Sequence, residues 1–446
     1  MIVSPARRAA FEILRRVEIE DAFASVLIAS LDERMRSSDR ALCHELVMGV
    51  LRRRMWLDRT IEHFARRPIT KLDLAVRLAL EIALYQLRVL TRIPPSAAVN
   101  ESVNLARTAG VKSAAGFVNA VLRRAVREPD FDPTSSINDH FEKLSVESSH
   151  PRWLIERWAA AFGFDETERL AHANNRTPPV SFRLTSRAAI AADSSAKILN
   201  AIKQSGGLAT GSEIVSDAWR VRGASDVTRE LAQDGLIYFQ DEASQLVAHV
   251  LNPEPALRVL DVAAAPGSKA THIAMLAPKA TVVAGDLYEH RVATMRRLAT
   301  VQGAKIHALV NDATYTLPFP PQSFDRVLLD APCSGTGTLR RNPEIRYRLK
   351  PEEIVELSAK QLAMLSSAAD LVRPGGRLVY STCSIETEEN ESIIRQFLSQ
   401  HEAFARTNID APAGLRTESG DVRTWPHRED TDGFFIAALE RKRSAG

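Results

Sequence analysis

The stretch 258-RVLDVAAAPGSK-269 decides the fold, because its apolar run passes directly into a turn of small residues. Such a run is typical of a buried strand in a parallel sheet, and ligands bind beyond the carboxyl ends of such strands. Four more apolar runs follow at intervals that leave room for helices: 281–285, 306–310, 326–330 and 377–381. The alternation predicts a Rossmann-like α/β domain with a mostly parallel sheet over residues 241–446.

The chain upstream of this domain shows three other patterns. Residues 1–130 carry apolar side chains at spacings of three and four, which predicts an all-α domain. Residues 131–150 are polar and rich in turn-forming residues, which predicts a linker. Residues 151–240 mix helix-like and strand-like segments, so we expect a small α+β subdomain before the α/β domain.

The composition is that of an ordinary globular protein, with 446 residues, 45% hydrophobic and 25% charged. No apolar run reaches the roughly 18 residues that span a bilayer, and the start lacks the apolar core of a secretion signal. The three cysteines form no Cys-x-x-Cys pattern, which argues against structural disulfides and a structural zinc site. We therefore expect a cytoplasmic protein without a membrane partner or a metal site.

Positive charge is concentrated at the front of the chain. Residues 1–130 hold 22 Lys and Arg against 15 Asp and Glu, whereas the remainder holds 36 against 40. A basic domain favours an anionic partner, although a solvated helical surface produces the same pattern.

The residues that follow the first three runs favour one cofactor. Small side chains at 263–268 let a ligand approach the backbone, and the next helix offers free N–H groups to a carboxylate. Asp286 ends the second run, where an acid commonly binds ribose hydroxyls, and Asp312 after the third run can meet an adenine amino group. No basic residue lies within three positions after Asp286, which disfavours a phosphate-bearing cofactor. S-adenosylmethionine fits this set, although each residue by itself also fits an ordinary turn or helix cap.

Two of the three cysteines follow the fourth and fifth runs, in Asp330-Ala-Pro-Cys333 and Thr382-Cys383. If these strands are neighbours, both thiols point into one cleft. A thiolate that adds to C6 of cytosine makes C5 able to take a methyl group, and the C5 proton must then leave. Asp330 can hydrogen-bond N3 of the base and stabilise the adduct. The alternative is that both cysteines are inert buried filler.

These motifs resemble those of the RNA cytosine-C5 methyltransferases, which are class I methyltransferases. The front of the chain resembles the helical RNA-binding domain of the antitermination factor NusB. The motifs that carry the two resemblances are Gln240–Gln245, Ala264–Gly267, Asp330–Gly337, Arg340–Pro343, Tyr380–Ser384 and Asp432–Phe435 for the enzyme, and Ala98–Leu105 and Gly116–Arg123 for NusB.

The resemblance implies a role for each matching residue. Cys383 is the implied nucleophile, Cys333 assists release of the product, and Asp330 orients the cytosine with help from Lys269. Ala263 and Ser268 depart from the family pattern, which commonly has Cys and Gly there, but both are small. The implied cofactor-binding residues are Ala263, Ala264, Ala265, Pro266, Gly267, Ser268, Lys269, Asp286, Asp312 and Asp330.

The resemblance also implies a partner. The substrate is 16S ribosomal RNA, at cytosine 967, or an early small-subunit assembly intermediate. DNA is not expected, because DNA cytosine-C5 enzymes use the Pro-Cys thiol as nucleophile and this chain has a second thiol. The protein is expected to be a monomer. Four arginines after the Pro-Cys motif are candidates for holding phosphates: Arg340, Arg341, Arg346 and Arg348.

Two other functions stay open. A tRNA cytosine-C5 methyltransferase has the same chemistry, and only the NusB-like front argues against it, by family layout. A non-catalytic RNA-binding or antitermination module keeps the fold without the reaction. The complete set of Asp330, Cys333 and Cys383 argues against that second alternative.

Overall fold

The computed structural model describes residues 3–31, 35–190, 194–254 and 257–443. Within these ranges, no helix is long and apolar enough to cross a membrane. The chain forms two compact units. One contains residues 1–176 and 339–348, and the other contains residues 177–338 and 349–446.

The part of the first unit before residue 176 is helical. The helices are α1 (Pro5–Ile19), α2 (Ala24–Ala29), α3 (Ser37–Arg52), α4 (Arg54–Ala65), α5 (Leu74–Arg88), α6 (Pro95–Thr108), α7 (Ala115–Arg127), α8 (His140–Ser148), α9 (Arg152–Phe162) and α10 (Phe164–Ala173). Helices such as α1 and α7 carry apolar residues at helical spacing and bury one face, whereas α5 is buried on all sides from Leu78 to Gln86. Asp73 begins α5 by accepting a hydrogen bond from the Ala75 N–H at 2.8 Å, and Leu78 and Ile82 are fully buried.

Helix α8 lies inside the segment predicted to be a linker, 131–150. Asp139 caps it by accepting a hydrogen bond from the Glu142 N–H at 2.8 Å, and Leu144 is buried. Helices α9 and α10, expected at the start of the α+β subdomain, also belong to the first unit, which ends at Arg176. The sequence of α8 looks polar because two of its four buried residues, Ser145 and Ser148, are serines.

Residues 339–348 complete the first unit. Arg346 is fully buried there, and its guanidinium donates to the Ser148 carbonyl oxygen at 3.2 Å and to Asn175 Oδ1 at 2.9 Å. Arg340 is fully buried as well. The prediction that these two arginines hold phosphates is therefore wrong, because protein atoms enclose both side chains.

The other two arginines of that prediction are less enclosed. Arg348 donates to the carbonyl oxygens of Val17 at 2.7 Å and Ala22 at 3.0 Å, so much of its donor capacity is used within the first unit. Arg341 is half-buried. Phosphate binding stays a prediction for these two side chains.

The second unit begins with a small α+β subdomain. Its elements are β1 (Val180–Leu184), α11 (Ser186–Ile190), α12 (Ser194–Gln204), β2 (Leu208–Gly211), β3 (Ala218–Arg222), α13 (Ser225–Gln233) and β4 (Ile237–Phe239). The strands form an antiparallel sheet in the order β2-β3-β1-β4. Phe182 at the centre of β1 is fully buried and stacks on Trp219, with ring centroids 5.7 Å apart.

The α/β domain follows. Its elements are α14 (Glu242–Leu251), β5 (Arg258–Asp261), α15 (Ser268–Leu276), β6 (Thr281–Asp286), α16 (Glu289–Gln302), β7 (His307–Val310), β8 (Phe324–Asp330), α17 (Ile345–Arg348), α18 (Pro351–Ala369), β9 (Val372–Thr382), α19 (Glu391–Gln400), β10 (Phe404–Arg406), β11 (Val422–Thr424) and β12 (Phe434–Arg441). Of these, α17 lies in the segment that belongs to the first unit.

The strands of this domain form an eight-stranded sheet in the order β10-β12-β9-β8-β5-β6-β7, with β11 paired to β12. Strands β5 to β9 run parallel, and β12 runs antiparallel to β9. Successive residues of β8 enter apolar clusters on opposite faces, Val327 and Leu329 on one and Leu328 on the other. Burial on both faces explains why the runs are continuously apolar. The predicted Rossmann-like fold is confirmed, with antiparallel strands added at one edge.

Candidate active site

A cleft of about 270 Å³ opens at the carboxyl ends of the parallel strands. Its walls come from the residues that follow each of β5 to β9, together with two side chains of α18, Lys360 and Met364. Parallel strands end at the same edge of a sheet, so five separate stretches of sequence meet there. The predicted residues that line it are Ala263, Ala265, Asp286, Asp312, Asp330, Cys333 and Cys383.

The two thiols converge in this cleft. Strands β8 and β9 are neighbours with Asp330 paired to Ser381, so the cysteines leave the sheet side by side. The sulfur atoms of Cys333 and Cys383 are 3.3 Å apart, and both residues are half-buried. The Cys383 sulfur, followed by burial, raises the pKa of Cys333 well above its usual value. Cys333 is therefore a protonated thiol at neutral pH.

Main-chain contacts hold the two cysteine loops against each other. The Gly337 N–H donates to the Cys383 carbonyl oxygen at 2.9 Å, and the Gly433 N–H donates to the Gly337 carbonyl oxygen at 2.8 Å. A Cβ atom at Gly337 would lie 1.9 Å from the Gly433 oxygen. Only glycine permits this approach, which explains why the sequence has one there.

Asp330 and Lys269 form an ion pair beside the thiols. Lys269 Nζ lies 2.7 Å from Asp330 Oδ2, and the Ser381 hydroxyl donates to Asp330 Oδ1 at 2.7 Å. Burial opposes the charge on Lys269, but Asp330 outweighs it and raises the pKa of the lysine. The ion pair and the hydrogen bond from Ser381 hold the Asp330 carboxylate in a fixed orientation.

Asp261, at the end of β5, was not among the predicted site residues. It is fully buried, and neither carboxyl oxygen accepts a hydrogen bond of ordinary geometry from the described residues. Burial, followed by the negative charge of Asp330, raises the pKa of Asp261 to about 8. An acid that ends an otherwise apolar run was the sequence signal for it.

The turn after β5 and the next two acids fit S-adenosylmethionine. Gly267 has φ of +105°, and a Cβ there would lie 2.8 Å from Met295 Cγ, so the turn needs glycine. The Thr314 hydroxyl and N–H both donate to Asp312 Oδ1 and lower the pKa of that acid. Asp286 accepts a hydrogen bond from the Tyr288 N–H at 3.2 Å. Both carboxylates are thus oriented along the cleft wall. The two carboxyl oxygens of Asp261, at the end of β5, can still accept hydrogen bonds.

Four predicted cofactor residues lie in the turn or at the start of α15 without lining the cleft: Ala264, Pro266, Gly267 and Ser268. Lys269 reaches the cleft only through Asp330. Conversely, Arg291 lines the cleft, and its guanidinium is 3.6 Å from Asp286 Oδ1. The lack of a basic residue in the three positions after Asp286 therefore does not keep positive charge out of the cleft, because the first turn of α16 places Arg291 beside Asp286.

Three family models match the chain. The model described as 16S rRNA methyltransferase RsmB/F matches residues 248–440, and the NusB family model matches 4–127. A third, the ferredoxin-like domain of RsmF/B-like methyltransferases, matches 150–228.

Relatives match over nearly the full length. Probable ribosomal RNA small subunit methyltransferase B of Bacillus subtilis is 35% identical over 98% of each chain. The protein of the same name from Synechocystis is 38% identical, over 98% of this chain and 99% of the relative. The chain belongs to the RsmB/F family of 16S rRNA methyltransferases.

Solved structures agree with this RsmB/F assignment. The crystal structure of PH0851 has a TM-score of 0.83 and 30% identity, covering 99% of this chain and 100% of that one. NSun6 from Pyrococcus horikoshii with SFG shares the fold over 66% of this chain and 99% of that one, with a TM-score of 0.58 and 20% identity. The predicted resemblance and the NusB-like front are confirmed, and the protein is an RNA methyltransferase.

Proposed function

We propose that this protein methylates C5 of a cytosine in 16S ribosomal RNA, at position 967, with S-adenosylmethionine as the donor. The observation that carries the proposal is the pair of sulfur atoms 3.3 Å apart beside the Asp330–Lys269 pair. Two thiols and a fixed carboxylate are the groups that addition to C6 and loss of the C5 proton require. The names of the relatives support the choice of small-subunit RNA.

Cys383 is the nucleophile in this proposal. Its sulfur attacks C6, a C6–S bond forms, and the electron pair of the C5–C6 double bond becomes available at C5. The proton of the attacking thiol moves to N3 of the base, and this N3–H donates to the Asp330 carboxylate, which stabilises the adduct. Lys269 holds that carboxylate in place. The resemblance to the RNA cytosine-C5 methyltransferases implies this division of labour, in which the thiol of the Thr382-Cys383 motif attacks and the thiol of the Pro332-Cys333 motif does not.

Cys333 serves release. Once C5 carries the methyl group, removal of its proton restores the C5–C6 double bond and expels the Cys383 thiolate. Cys333 first gives its own proton to solvent. The resulting thiolate is a strong proton acceptor because its pKa is high, and it takes the C5 proton as the C6–S bond breaks. The distance of 3.3 Å between the Cys333 and Cys383 sulfur atoms supports this role.

Ala263, Ala265, Asp286 and Asp312 would hold the donor along the cleft. When bound, S-adenosylmethionine supplies a methyl group activated by a sulfonium. The chain's own part is to orient the donor and to keep the base between the donor and the thiols. We further propose that the protein acts as a monomer in the cytoplasm, on 16S RNA or an early small-subunit intermediate, and not on DNA.

Tritium transfer tests the proposal. Labelled S-adenosylmethionine is incubated with the protein and with 16S RNA, small-subunit particles or tRNA from cells that lack it, and bisulfite sequencing maps the product. We expect one methylated cytosine in 16S RNA, and the two ribosomal substrates identify the natural one. Label in tRNA alone would favour the tRNA alternative. No label with intact cofactor binding would favour a non-catalytic module.

A further inference from the structure

One buried carboxylate has no role in the mechanism above. Glu389 lies in the turn between β9 and α19 and is fully buried. It accepts hydrogen bonds from the Ser334 N–H at 2.9 Å, from the Ser334 and Ser384 hydroxyls at 2.5 Å each, and from Gln361 Nε2 at 2.9 Å. A buried acid with this many donors has a specific structural purpose.

The positions of its partners indicate that purpose. Ser334 directly follows Cys333, and Ser384 directly follows Cys383. Glu389 thus bonds the residue after each thiol, although the two loops come from different strands. The two serine hydroxyls are themselves 3.1 Å apart, so the three side chains form one cluster.

The cluster is fixed from outside as well. Gln361 Nε2 also donates to the Pro332 carbonyl oxygen at 2.9 Å, on the other side of Cys333. The Tyr380 hydroxyl donates to the Glu389 carbonyl oxygen at 2.6 Å, and Asn390 Nδ2 donates to the Ser384 carbonyl oxygen at 2.9 Å. The carboxylate therefore has little freedom to move.

The chemistry of the donors suits a positioning role. Each group bonded to the Glu389 carboxylate is a neutral donor: two hydroxyls, one backbone N–H and one amide. Burial raises the pKa of Glu389, and the hydrogen bonds from Ser334, Ser384 and Gln361 oppose that rise. Burying a carboxyl group among neutral donors costs free energy. The hydrogen bonds that satisfy Glu389 also fix the positions of the groups that make them.

We propose that Glu389 is a positioning residue that holds the Cys333 and Cys383 loops in register through Ser334 and Ser384. Its effect on catalysis rests on the proposed function. Its effect on the thiols does not, because their spacing can be measured without RNA. Misplacing a reacting group by about 1 Å can cost on the order of a hundredfold in rate.

Two readouts test the inference. The first is kcat and KM for methyl transfer. The second is the rate at which a bis(bromomethyl) reagent links the two thiols, each thiolate displacing one bromide, followed by mass spectrometry. The variants are Glu389→Ala, Glu389→Gln and Ser384→Ala. Glu356→Gln, an exposed acid on α18, is the matched control, and Cys333→Ala gives the background without a link.

We expect Glu389→Ala to lower kcat and the linking rate together, by about tenfold to a hundredfold, with little change in KM for S-adenosylmethionine. Glu389→Gln falls between, because an amide oxygen still accepts hydrogen bonds, and Glu356→Gln matches the wild type. A wild-type linking rate in folded Glu389→Ala overturns the inference, whatever happens to kcat.

If Glu389→Ala does not fold, Glu389→Gln and Ser384→Ala decide the matter. Each variant weakens the hydrogen bonds of the cluster but keeps some of them. A parallel decrease of a few-fold in the thiol-linking rate and in kcat therefore supports the inference. Unchanged linking in both overturns it. If the wild type transfers no methyl group, the proposed function fails, and the linking rates still decide the role of Glu389.

Discussion

The two halves of the cleft are built on opposite principles. Around the thiols, polar groups satisfy one another, and Glu389 accepts hydrogen bonds from both cysteine loops. On the side of β5, Asp261 is fully buried with neither oxygen paired among the described residues. Buried polar atoms are normally paired. The contrast separates the thiol half, whose polar groups are paired within the protein, from the half beside the turn where we propose that the donor binds, here called the ligand half.

Removing the nucleophile should have the largest effect. Cys383→Ala should lower methyl transfer by on the order of a thousandfold or more, because no other group forms the bond to C6. Cofactor affinity, measured by calorimetry, should stay nearly unchanged, since the variant alters only the thiol half of the cleft. Appreciable residual turnover would reject Cys383 as the nucleophile.

Removing the second thiol should trap the reaction. Cys333→Ala should slow turnover by about a hundredfold and leave enzyme bound covalently to methylated RNA, because the C5 proton has no acceptor. The adduct appears as a slow band on a denaturing gel, and the Cys383→Ala/Cys333→Ala double variant is the control without one. Normal turnover without a band would show that Cys333 has no part in release.

The raised pKa of Asp261 predicts how the free energy of unfolding depends on pH. The pKa of Asp261 is about 8 in the folded protein and near 4 when unfolded, so folding retains a proton that the unfolded chain loses. The stabilisation of the folded state by protonated Asp261 is fully present below about pH 4 and is lost as the pH rises toward 8. Relative to wild type, Asp261→Asn should therefore gain roughly 2–5 kcal/mol in free energy of unfolding between pH 4 and 8. Parallel curves from denaturant titrations would show that Asp261 is ionised when folded.

The smallest effect is expected at the rim of the ligand half. Arg291 is half-exposed and its guanidinium lies 3.6 Å from Asp286 Oδ1, so solvent screens most of the attraction. Arg291→Ala should change KM for S-adenosylmethionine by less than about threefold. A larger increase would mean that Arg291 binds the donor directly and that the ligand half extends further along α16.

The sequence was sufficient for the sheet and for the edge at which both thiols lie, and the structure adds that β8 and β9 are neighbours. Each parallel strand is buried on both faces and therefore reads as a short apolar run, and residues just beyond β8 and β9 must share one edge. Lys269, by contrast, entered only through resemblance, and the structure adds its 2.7 Å contact with Asp330.

Other features left no readable pattern. Glu389 bonds Ser334 across 55 positions of the chain, and no spacing rule connects them. Arg346 is satisfied largely by main-chain carbonyl oxygens, which every residue possesses, so its burial could not be foreseen from partner side chains. Arg291 lies beyond the three positions considered after Asp286, and the first turn of a helix, rather than adjacency in sequence, places it beside that acid.

Residues 339–348 belong to the first unit although the chain on both sides belongs to the second, and this limits how the protein can be divided into fragments. A catalytic fragment that starts after Arg176 would carry a ten-residue insert whose partners are gone, including the enclosed guanidinium of Arg346. Gene truncation at that boundary is therefore a poor route to a minimal enzyme. Shortening the insert between Thr338 and Leu349 is the change that would let the two pieces be studied separately.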